Sequence, residues 1–88
     1  MKLWLLQSND GALRKRDNPW DPWYDKAFTF VIRAKSEDDA RKIASENAGY
    51  EALWRKGINP WLIPKYSSCT HLVDTGDPGI VIKDYLAA

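Results

Sequence analysis

The chain has 88 residues, with 13 lysines and arginines against 12 aspartates and glutamates, five tryptophans, four tyrosines and a single cysteine. That length sets one domain over residues 1–88, and because so short a chain buries only about 60–65% of its unfolded surface, each bulky side chain counts. Balanced charge excludes a general nucleic-acid binder and an acidic nucleic-acid mimic. Cys69 alone forms no intrachain disulfide, and the apolar run Leu3–Leu6 is too short for a signal or a span, so the chain is expected in the cytoplasm and away from membranes.

Residues 2–7 read as a strand. Leu3 and Leu5 share one side and Trp4 and Leu6 the other, which suits a central strand buried on both faces. Residues 8–26 read as a long loop. Ser8-Asn9-Asp10-Gly11 is turn chemistry, Arg14-Lys15-Arg16 is a basic triplet, and Pro19 and Pro22 remove backbone donors and force extended neighbours. Residues 27–35 alternate as a strand whose Phe28, Phe30, Ile32 and Ala34 form the core face. Ser36 then caps a helix whose first turn is acidic, whose inner stripe is Ala40, Ile43, Ala44 and Asn47/Ala48, and whose stop is Gly49.

Residues 50–57 read as a short helical turn ending at Gly57, and residues 58–66 as proline-punctuated irregular chain. Residues 69–74 and 80–85 read as two strands joined across Thr75-Gly76-Asp77-Pro78-Gly79 in a hairpin. The expected fold is therefore α+β: a four-stranded, mostly antiparallel sheet with one main helix on one face, order β-β-α-β-β, and long Trp/Pro-rich loops.

Enzymatic chemistry finds little footing, and the chain is expected not to be an enzyme. The five glycines are scattered at turns rather than gathered in a phosphate loop. Cys69 and His71 sit two apart on one strand face, with no further Cys or His to complete a zinc set and no orienting group to make a nucleophile pair. No cofactor or metal is implied. Asp21 and Asp25, beside Trp23 and Tyr24, have the composition of sugar-binding clefts, yet loop solvation explains them.

The tryptophans carry the remaining signal. Trp4 belongs to a strand; Trp20, Trp23, Trp54 and Trp61 fall in two proline-marked loops, and Asn18-Pro19-Trp20 is echoed by Asn59-Pro60-Trp61. Either those loops close the core as a second layer, or they present anchors, since Trp, Tyr and Arg are the residue types enriched at binding hot spots. The candidate partner surface is Arg14, Lys15, Arg16, Trp20, Trp23, Tyr24, Trp54, Arg55, Lys56 and Trp61.

The chain resembles a set of short bacterial and phage proteins without an assigned activity. The resemblance rests on Met1–Leu6, Asn18–Lys26, Phe30–Ala34 running into Ala40–Ala44, Ser67–Cys69 and Pro78–Asp84. In size and in its strand followed by an Ala-Arg helix it also looks like small phage-encoded anti-CRISPR proteins. That likeness implies a stoichiometric, non-enzymatic inhibitor that occludes a host defence complex. Alternative expectations on the same surface are a nucleic-acid-binding accessory protein and a small-ligand or carbohydrate module.

Overall fold

The computed structural model describes residues 1–84. Strand β1 (Lys2–Ser8) lies in the middle of the sheet, between β2 (Thr29–Ala34) and β3 (Ser67–Leu72), both antiparallel to it. The expected four-stranded sheet is thus a three-stranded one of order β2-β1-β3. Residues 80–84, expected as the outer strand of a hairpin, lie in no strand, and Tyr85 lies outside the described residues. The hydrogen-bonding edges of β1 are both taken, with Leu6 opposite Phe30 on one side and Cys69 on the other, and residues 80–84 enter no ladder with the outer strands.

Alternation along the strands separates two faces. Trp4, Leu6, Phe30, Ile32, Ala34 and Cys69 share one, while Leu3, Leu5, Val31, Arg33, Thr70 and Leu72 share the other. Helix α1 (Glu37–Glu46) packs on the first face through Ala40 and Ala44, whose small side chains let the helix lie close to the strands. Ser36 caps it as expected, its Oγ accepting from the Asp39 amide at 3.2 Å. Two expectations shift. The inner stripe takes Arg41 rather than Ile43, which is exposed, and the helix ends at Asn47 rather than Gly49. Gly49 is needed for closeness instead: a Cβ there would stand 2.8 Å from the Asp25 carbonyl oxygen and from the Lys26 Cα.

The two tryptophan loops fold onto the same face as α1. Trp20 and Trp61 have no exposed surface and meet edge to face, their ring centroids 5.6 Å apart. Both Asn-Pro-Trp triplets form the same turn. The Asn18 Oδ1 accepts from the Trp20 amide at 3.0 Å, and the Asn59 Oδ1 accepts from the Trp61 amide at 3.1 Å. Both prolines are fully buried. Short 3₁₀ turns at Asp10–Ala12, Lys15–Asp17, Tyr50–Leu53 and Pro60–Leu62 carry the rest of these loops. Among the described residues, no helix is long and apolar enough to cross a membrane.

Candidate functional site

Three loop segments converge beside the indole of Trp54. The 3₁₀ turn Lys15–Asp17 presents its backbone to Arg55, whose Nη2 donates to the Arg16 carbonyl at 3.2 Å. The chain reverses after Arg55 through Gly57, whose φ of +80° belongs to the left-handed region that glycine enters without strain. That reversal lays the Arg55 guanidinium over Trp54, 3.9 Å from the ring centroid. Trp54 in turn packs edge to face on Tyr66 at 5.7 Å. The Tyr66 hydroxyl donates to Asp17 Oδ1 at 2.6 Å, and Lys65 pairs with the other oxygen of Asp17. The contacts close a ring from Arg16 through Arg55, Trp54 and Tyr66 back to Asp17.

Electrostatics within the ring are coherent. Lys65 first, and then the Tyr66 hydroxyl, hold the Asp17 carboxyl below its ordinary range. The hydrogen bond to Asp17 raises both Tyr66 and Lys65. Asp17 is thereby neutralised from inside, and Arg16 and Arg55 remain as cations over a single compensated acid. Arg14, Lys15 and Lys56 are exposed beside them.

The structure therefore divides the ten residues expected to form a partner surface. It brings Arg16, Trp54 and Arg55 together, with Arg14, Lys15 and Lys56 as sequence neighbours. It removes Trp20 and Trp61, since indoles without exposed surface cannot reach a partner. Trp23 is half-buried against Tyr50, with centroids 5.8 Å apart, and its indole N–H is shielded without an acceptor. Tyr24 stands fully exposed. Asp17, Lys65 and Tyr66 complete the ridge and were not among the expected residues. The contact of Asp17 with Tyr66 spans 49 positions in sequence, and no local pattern announces it.

Cys69 and His71 both lie on β3, on the side of the sheet that carries Trp4 and Leu6. Burial pushes the Cys69 thiol up, away from thiolate, and His71 leans on Trp4 at 5.1 Å between centroids. Among the described residues, no group of three or more His, Cys, Asp or Glu side chains could hold a metal ion. No family model, curated protein or solved structure matches the chain, so its reading rests on the geometry above.

Proposed function

We propose that the chain is a non-enzymatic interaction module whose basic ridge, centred on Arg16 and Arg55, grips an acidic surface of a protein partner and occludes it. The observation that carries this reading is the position of Arg55. It is exposed, stacked on Trp54 and hydrogen-bonded to Arg16, so its guanidinium is held ready for a carboxylate rather than recruited from a mobile side chain. The same stacking favours a protein partner over a nucleic acid. One face of Trp54 is covered by Arg55 and its ring also meets Tyr66, so within the ridge Trp54 is engaged by its own neighbours rather than held open as the platform that single-stranded binders offer to bases. Stoichiometric blocking of a defence complex, the role implied by the phage-protein resemblance, is one form such binding takes.

The test is fluorescence anisotropy with two labelled probes, a glutamate-rich peptide and a short oligothymidylate. Binding of the peptide by the wild type, reduced about tenfold or more in Arg55→Gln, is the expected result for loss of a charge-assisted pair. Preference for the oligonucleotide, with affinity falling steeply as salt rises, would transfer the ridge to nucleic acid. A tagged pull-down from the producing cell that recovers a protein with the wild type and loses it with Arg55→Gln identifies the partner.

A further inference from the structure

The two outer strands end the sheet differently. At one end of β1 the Ser8 amide donates to the Phe28 carbonyl at 2.8 Å, and the pairs Leu6↔Phe30 and Trp4↔Ile32 repeat that bonded register. The backbone groups of Thr29, Val31 and Arg33 therefore point away from the sheet, and among the described residues none of them has a hydrogen-bond partner. On the opposite edge the Asn9 amide donates to the Tyr66 carbonyl at 2.9 Å, which turns Ser67, Cys69 and His71 outward. Ser67 is taken there: its amide donates to the Ile63 carbonyl at 3.1 Å, and its carbonyl accepts from Arg41 Nη2 at 3.0 Å. The edge of β2 is thus the more open template for another strand, and the chain's own residues 80–84 do not take it.

Beside the Ala34 end of β2, a hollow of about 380 Å³ opens between the strand and α1. Met1, Ala34 and Ile43 give it apolar walls, and Ile43 is 41% exposed although it lies on a helix packed against the sheet. A strand added to β2 runs about 4.8 Å beyond it, so its helix-side side chains are aimed into this hollow and cover Ile43.

We infer that the outer edge of β2 receives a fourth, antiparallel strand from a protein partner, an extended segment that alternates apolar side chains facing α1 with acidic ones on the other face. Paired backbone groups hold such a segment, and its side chains give specificity. Charge selects the occupant. Residues 26–35 carry three cations and no acid. Lys26 is held by the Trp20 carbonyl, whereas Arg33 and Lys35 are exposed and form no ion pair among the described residues. Arg33 alternates onto the face away from α1, where an acidic side chain directly opposite meets it. The helix side of the hollow adds Asp39, Lys42 and Glu46, an excess of one acid, which suits an apolar side chain there. A second copy offering the same edge would set three cations against three, so β2 is poorly matched to itself. The surface is also separate from the basic ridge, whose Lys65 and Tyr66 lead into β3 on the opposite edge.

Nuclear magnetic resonance titration of the nitrogen-15-labelled chain with a capped peptide of alternating glutamate and valine tests the inference. The expected result is amide shifts at Thr29, Val31, Arg33 and Ile43, with slowed hydrogen exchange at the first three. Residues directly opposite in an antiparallel pair share a face, so the glutamate amides are the ones that bond to β2. N-methylation of the glutamate amides is expected to abolish binding, and N-methylation of the valine amides to spare it. Arg33→Glu in the chain is expected to weaken binding about tenfold or more. Equal binding by the two methylated peptides overturns the inference, as does the absence of any shift along β2. Shifts confined to Arg16 and Arg55 overturn it too, while leaving the ridge reading in place.

Discussion

Glu51 is a carboxylate with no exposed surface and three backbone or indole donors. Its Oε2 accepts from the Trp61 Nε1 at 2.7 Å and from the Gly49 amide at 3.1 Å, and its Oε1 accepts from the Ala27 amide at 3.0 Å. A buried charge survives only when such donors replace water. A glutamine in its place would set an amide donor against one of these N–H groups, so Glu51→Gln is expected to cost about 1–3 kcal/mol, read as a fall of roughly 5–15 °C in Tm. Nothing in the local sequence marks Glu51, which reads there as one more surface acid. Asp17 is the other informative carboxylate. Its folded pKa lies below the unfolded 3.8, so its contribution is full above that value and is lost as pH falls through the folded pKa. Tyr66 and Lys65 are raised above 10.0 and 10.5, so theirs is present below those values and lost as pH rises past them. Urea midpoints measured against pH should fall at both extremes, and Asp17→Asn should flatten both limbs.

Among the elements, α1 shows how much of the fold its sequence displays and where that display stops. Its cap, its acidic first turn and its two inner alanines follow from spacing alone. Arg41 does not: on the periodic pattern it reads as a solvated cation, yet it is buried. Its guanidinium donates to the Trp61 carbonyl at 2.9 Å, to the Ser67 hydroxyl at 2.9 Å and to the Ser67 carbonyl at 3.0 Å, while Glu37 pairs with its Nε one turn earlier. Those acceptors lie 20 and 26 positions away, beyond any periodicity. Arg41→Met keeps much of the aliphatic stem and strips the donors. We expect a loss of about 3 kcal/mol by chemical denaturation, a large share of the stability of a domain this size. Gly49→Ala belongs to the same scale, because the helix-to-loop connection has no room for a methyl group. A loss of about 1–3 kcal/mol is expected by the same measurement. The missing fourth strand has a comparable lesson. Ile80-Val81-Ile82 has strand propensity, but propensity does not say whether a neighbouring edge is free to accept it. Likewise the ridge was legible only as its parts, the basic triplet and Trp54-Arg55, and not as the ring that Asp17 and Tyr66 close.

At the scale of the whole molecule, the domain is layered on one side. A helix of small residues leaves room on the face of Leu6, and the two Asn-Pro-Trp turns fill it, so loops that look irregular in sequence serve as core. Five indoles thereby divide into classes that one measurement separates. Acrylamide should leave the emission of Trp20 and Trp61 nearly unquenched while reaching Trp4, Trp23 and Trp54, giving a downward-curving Stern–Volmer plot. A linear plot with full access would contradict the paired burial of the two turns.

The hydrogen bonds around Glu51 run on without interruption: Trp20 Nε1 donates to the Ala27 carbonyl at 2.6 Å, the Ala27 amide to Glu51, and Trp61 Nε1 to Glu51. Two surface loops far apart in sequence are thus wired into one circuit, and neither can open without breaking the other's bonds. Loops of this kind ordinarily exchange their amide protons early and separately. Here the amides of Trp20, Ala27, Gly49 and Trp61 should exchange together, at a rate set by unfolding of the domain as a whole.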